Sequence, residues 1–135
     1  MRAIGELYKY LFFKLYSWNI EAFGKRELPT LNALLHLSLL MYINLMTTLL
    51  VVEMLVGITL INFEEVSVTV LVILSLSVLA INYFGLVYNS RLQGIIDLYA
   101  NESDEKKKSG NITLGWYIGL TILTLLIVLV FKSAR

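Results

Sequence analysis

The chain has 135 residues, 58% of them hydrophobic and 16% charged, with a formal net charge of +1, no cysteine and one histidine. Together with a mean hydropathy of +0.75, that composition is too apolar for a water-soluble globular domain and indicates a single integral membrane domain over residues 1–135. It excludes disulfides, thiolate nucleophiles and soft-metal sites within one chain, and it offers nucleic acid no basic surface beyond Lys106, Lys107 and Lys108. No cofactor or metal is expected, and no acid/base pair, nucleophile dyad or phosphate loop marks an enzyme.

Residues 4–23 predict an amphipathic helix. On a helical wheel Leu7, Leu11, Leu15 and Trp18 share one face with Tyr8, Phe12 and Phe23 at its edge, and Arg2, Glu6, Lys9, Lys14, Ser17 and Glu21 lie opposite. A charge at the bilayer centre costs roughly 2.5–3.5 kcal/mol on insertion scales. Lys9 and Lys14 therefore favour a helix lying in the membrane interface over the alternative, a fourth transmembrane helix of a four-helix bundle. Tyr8, Phe12 and Trp18 are its expected interfacial anchors. The same lysines interrupt any signal-peptide apolar region, so this segment is expected to be retained.

Gly24 to Pro29 is an elbow: Gly24 suits a left-handed helix cap, Pro29 a first helical turn, and Lys25 and Arg26 the cytoplasmic surface. The first span, residues 30–61, is roughly 45 Å long against a hydrocarbon core of about 30 Å, and so tilts or protrudes. Its polar residues are Asn32, His36, Asn44 and Glu53, among hydroxyls. At 3.5 residues per turn Asn32, Leu39, Met46 and Glu53 share one register and His36, Ile43, Leu50 and Gly57 the adjacent one, placing polar groups of both ends on one face. Glu53, about two turns from the outer end, reads either as an ion- or proton-binding carboxylate on a shared interior or as a hydrogen-bonded residue joining helices. His36 reads mainly as structural.

An acidic hairpin, Asn62 to Glu65, leads into the second span, residues 66–88, with Ser75, Asn82 and Asn89 at heptad spacing and Gly85 beside them. Leu92, Ile95, Ile96 and Tyr99 extend it as an amphipathic stem to residue 100. Residues 101–111, NESDEKKKSGN, read as a mobile polar linker. The third span, residues 112–131, opens with Gly115-Trp-Tyr-Ile-Gly119, a G-x-x-x-G match for helix packing, with Trp116 and Tyr117 as interfacial anchors and Lys132 and Arg135 closing it. The fold class is thus all-α integral membrane, an N-terminal amphipathic interfacial helix plus three transmembrane helices.

Nine basic residues flank the elbow and linker and two follow the third span. The positive-inside rule puts elbow 24–29 and linker 89–111 in the cytoplasm and the C-terminus outside, in what is expected to be a bacterial inner membrane. The glycosylation matches at Asn101 and Asn111 then fall on the wrong side for modification. Three helices have limited means to hide Asn32, His36, Asn44, Glu53, Ser75, Asn82 and Asn89, or to use Gly57, Gly85, Gly115 and Gly119. A homo-oligomer in the lipid bilayer is therefore expected. Function then reads as a self-assembling, ion-conducting or membrane-perturbing pore. The alternative is an accessory or anchor subunit docked to a second membrane protein; a small transporter fits less well, because Glu53 is far from the midplane. In composition the chain resembles small phage holins and membrane toxins, and no motif extends that likeness.

Overall fold

A computed structural model describes residues 1–60, 62 and 64–134. Among them the structure is all helical: α1 Arg2–Phe23, α2 Pro29–Val56, α3 Val68–Leu86, a short 3-10 turn Tyr88–Ser90, α4 Arg91–Tyr99 and α5 Asp104–Ser133. Three of these helices, α2, α3 and α5, are long and apolar enough to cross a membrane, and α1 is not one of them. The chain is an all-α membrane protein.

The local sequence explains each boundary. Gly24 ends α1 at positive φ, but with ψ 170° rather than the left-handed cap expected of it. Leu28 is left-handed and Pro29 opens α2, whose first turn needs no proline N–H. Gly57, at φ 73° and ψ 18°, closes α2 in the left-handed region, with its N–H bonded to the Glu53 carbonyl. The first span is therefore shorter than residues 30–61, and its expected end at Ile61 lies outside the described residues, as do Phe63 of the hairpin and Arg135. Gly57 is a cap exposed at the helix end and not a packing residue.

Two further expectations change. The second span does not run on as a straight stem: Asn89 (φ 59°) and Ser90 (φ 64°) are both left-handed, which breaks the chain between α3 and α4. Arg91 folds back across the break, its Nη1 donating to the carbonyl of Phe84 at 2.8 Å and so serving the otherwise orphaned end of α3. The polar segment 101–111 is no linker either, since α5 begins at Asp104. Ser103 caps it by accepting from the Lys106 N–H, and Asp104 and Glu105 occupy the first turn, where the helix dipole favours acids.

Helix α2 packs against α1, α3 and α5, and α1 packs in addition against α4 and α5. The apolar core lies at the elbow end, where Phe12 and Leu15 of α1 meet Leu34 and Leu37 of α2, Leu86 of α3, Ile95 of α4 and Leu114 of α5. Toward the far end the helices bury little, and their leucines, isoleucines and valines face outward, as lipid-facing residues do. The long 3.5-residue register of α2 does not hold: α5 follows the helix to Glu53, but α1 adds its packing at the elbow end. Glu53 is buried and Asn32 and Met46 lie in the same register, but Leu39, between them, is 56% exposed.

Candidate functional site

The polar side chains of the spans come together in three clusters. The first is central to the core. Asn82 of α3 is fully buried; it accepts from the Tyr8 hydroxyl of α1 and donates through Nδ2 to Ser38 Oγ of α2 at 2.8 Å. One amide thereby joins three helices. In a hydrocarbon setting an amide must be satisfied by protein, and here all its partners belong to the same chain. Burial pushes the Tyr8 phenol up to about 12, so it stays a neutral donor. Gly85, one turn on, lies beside the Tyr8 hydroxyl, which is 3.8 Å from where a Cβ would stand, an ordinary contact distance.

The second cluster fastens the ends of α2 and α5. Lys132 Nζ donates to Glu53 Oε1 at 2.8 Å, with the Lys132 side chain 33% exposed. Lysine near a helix end can keep its stem in apolar surroundings and its ammonium toward the headgroups while reaching an acid. Because these two C-terminal ends meet, α2 and α5 run in the same direction and α3 returns between them in the chain. Nearer the middle, Asn44 Nδ2 donates to the Tyr117 hydroxyl at 2.7 Å.

The third cluster is at the elbow end and was not legible as a site. Glu102, in the loop before α5, accepts from Tyr10 Oη at 2.5 Å and Lys14 Nζ at 2.8 Å; Lys14 Nζ also reaches the Lys107 carbonyl at 3.3 Å. The Lys14 and Glu102 side chains are 4% and 2% exposed, a buried ion pair. Desolvation works to raise the Glu102 carboxyl, but the hydrogen bonds from Lys14 and Tyr10 and the charge of Lys14 outweigh it and hold it below the ordinary carboxylate range. Burial first, and then the hydrogen bond and charge of Glu102, push the Tyr10 phenol well up. Tyr99 stacks edge-on against Tyr10 and donates to the Glu6 carbonyl. Gly110 of α5 passes so close that a Cβ there would overlap the Tyr10 hydroxyl oxygen and Lys14 Cε.

This cluster revises the reading of α1. Lys14 does not face water on a polar stripe, and Phe12 is no interfacial anchor, being fully buried; Tyr8 is likewise a packing residue. The helix buries Phe12, Phe13, Lys14, Leu15 and Asn19 and leaves Leu7 and Trp18 outward, so its packed face is rotated from the hydropathic one. The remaining candidates lie apart. Asn32 donates to the Glu27 carbonyl and trims the elbow, Ser75 is exposed and bonds back to Leu71 of its own helix, and Asn89 is exposed at the kink. His36 stands beside Asn19, 3.4 Å from its Nδ2, and edge-on to Trp18. Gly115 and Gly119 are exposed, with open space where a side chain would stand, so the G-x-x-x-G match packs no helix of this chain, and Trp116 is exposed beside them. The close-packing glycine is Gly110.

Sequence could have signalled part of this. The run Ser103-Asp104-Glu105 is a helix start, which would have placed the lysines on a helix and Glu102 in a tight loop. Among the described residues no cluster of three His, Cys, Asp or Glu side chains could hold a metal ion. No family model, no curated protein and no solved structure matches the chain.

Proposed function

We propose that this chain is a non-enzymatic accessory or anchoring subunit of a membrane assembly, set in a bacterial inner membrane with the elbow and the lysines of α5 on the cytoplasmic side. The observation that supports this best is the internal pairing of its membrane polar groups: Asn82 with Tyr8 and Ser38, Glu53 with Lys132, and Asn44 with Tyr117. Side chains that line a water-filled pore stay available to solvent and ions, and those that join identical copies stay available to the copy. Here they join helices of one chain, which supports a unit that satisfies these groups without symmetric partners. The lysines and the positive-inside rule support the orientation. The surface offered to another protein is then the cap formed by α1, α4 and the start of α5, joined by the Lys14–Glu102 pair. A photo-crosslinker at Leu98, exposed on α4, should give in native membranes a product heavier than two copies of the chain could make. Crosslinks to self alone would count against the proposal.

A pore is the second reading, favoured by one feature. Thr47, Thr48, Thr121 and Thr124, with Val51, Val52 and Leu120 between them, line an open groove of about 420 Å³ between α2 and α5. A facing copy would close that groove into a path carrying the four threonines on an otherwise apolar wall. Ion flux in liposomes, diminished by Thr48→Val with Thr124→Val, is the result this reading requires. Absence of flux from a verified oligomer removes it.

A further inference from the structure

A second cleft lies between α1, α2 and α5, half open to the outside, with a volume of about 450 Å³. Its walls are graded. Trp18, His36 and Asn111 stand at the elbow end; Leu39, Ile43, Ile118 and Ile122 continue deeper along α2 and α5. Gly115 is part of the wall, and its missing side chain keeps the slot open on the α5 side. The cleft therefore passes from hydrogen-bond donors to hydrocarbon along the helix axes, which are also the axes of two spans.

Its length identifies what fits. From Asn111 to Ile122 is eleven residues of α5, roughly 16 Å of rise, and one leaflet is half of a hydrocarbon core of about 30 Å. The slot is as deep as one acyl chain region. Two exposed lysines, Lys107 and Lys108, precede Asn111 by four and three residues on α5, one helical turn beyond the rim and near the face that Asn111 occupies, with Glu105 beside Lys108. The rim supplies donors as well, in the Trp18 indole and the Asn111 amide, and the His36 ring lies beside them with its Nδ1 3.4 Å from Asn19 Nδ2.

From this gradient, depth and charge we infer that the cleft is a binding site for a phospholipid with an anionic headgroup, drawn from the leaflet on the elbow side. One acyl chain fills the slot along Leu39, Ile43, Ile118 and Ile122. The phosphate lies at the rim among Trp18, His36 and Asn111, under Lys107 and Lys108. This assignment is independent of whether the chain acts as a subunit or a pore.

Trp18 reports on the site directly once Trp116, exposed and not part of the slot, is replaced by Phe. That single-tryptophan protein is reconstituted in phosphatidylcholine vesicles containing an equal low mole fraction of either phosphatidylglycerol or phosphatidylcholine brominated near the top of one acyl chain. Trp18 quenching should give a relative association constant about 5- to 30-fold higher for phosphatidylglycerol, the range that one to two lysines near a membrane surface supply. Lys107→Gln with Lys108→Gln should bring the ratio close to one. Gly115→Leu should remove quenching by slot-bound lipid, and Ile122→Phe provides the same blockage should the leucine unsettle α5. Equal quenching by the two lipids in the parent protein overturns the assignment, as does a preference that survives both blocking variants or the loss of the two lysines.

Discussion

Replacing Glu102 by Gln strands an ammonium inside protein. Lys14 is 4% exposed and its carboxylate partner 2% exposed, so neither has water to fall back on, and breaking such a pair costs about 3–5 kcal/mol. The lower end of that range applies, because the Lys107 carbonyl at 3.3 Å and the new amide oxygen remain as acceptors and the Tyr10 ring stays 5.4 Å from the ammonium; we expect about 3 kcal/mol. Removing the whole cluster, with Lys14→Met, Glu102→Met and Tyr10→Phe together, should by contrast cost under about 1 kcal/mol, because no charge or hydroxyl is then left buried without a partner. Reversible unfolding in mixed detergent micelles with added SDS, followed by tyrosine and tryptophan near-ultraviolet dichroism, measures both. A Glu102→Gln variant within about 0.5 kcal/mol of the parent, or a triple variant worse than the single one, would refute the claim that this pair is buried and binds α1 to the base of the bundle.

Other outcomes follow from the same contacts. The Glu102 carboxyl is held below its ordinary value of 4.5, so its stabilising effect is full above that pH and is lost as pH falls through the lower folded value; Tyr8, Tyr10 and Tyr99 are raised above 10.0, so theirs is lost as pH rises past 10.0. Stability measured by the same unfolding titration should be level in between, and a decline beginning near neutrality would contradict the assignments. Asn82→Leu should cost about 1–3 kcal/mol, two hydrogen bonds of up to about 1.7 kcal/mol each in a membrane protein, and a double-mutant cycle with Tyr8→Phe should show coupling of at least about 0.5 kcal/mol. Ser75→Ala, whose hydroxyl only bonds its own helix, should change stability by less than about 0.5 kcal/mol. Gly110→Ala should destabilise by about 1–3 kcal/mol as an overpacked site, and Gly119→Ala, with open space around it, should be neutral or slightly stabilising; equal effects at the two glycines would contradict the packing described.

The three spans were legible because roughly twenty apolar residues in a row have few other uses, and the elbow because Gly24 and Pro29 sit at its two ends. Amphipathic residues 4–23 were legible as a helix, but not in their rotation. A wheel ranks faces by hydropathy, and α1 buries Lys14 and Asn19, which hydropathy sends outward, because Glu102 and the Leu15 carbonyl meet them there. Residues 101–111 misled for a related reason: a charged run lacks the apolar periodicity of a packed helix, yet Ser103 and two acids at its start, and the apolar run after it, carry the helix through. Asn82 and Glu53 stood out in the sequence as polar residues within apolar spans. Their partners, Tyr8 and Ser38 at separations of 74 and 44 residues and Lys132 at 79, were hidden, since nothing in one sequence encodes which distant residue a buried group will meet. The repeating register assigned to α2 failed because it assumes the same set of neighbours along the whole helix, whereas α1 joins the core at the elbow end and α5 follows α2 as far as Glu53.

The central claim is that the buried polar groups of the spans, Asn82 and Glu53, find their partners within one chain. The most direct test is the mass of the protein in lipid nanodiscs loaded at low protein-to-lipid ratio, with Asn82→Leu measured alongside. A protein mass of 15.4 kDa per disc, with the Asn82→Leu variant equally monomeric but less stable, is the predicted result. A stable oligomer of the parent chain that dissociates on Asn82→Leu would show that Asn82 joins copies rather than helices, and would contradict it.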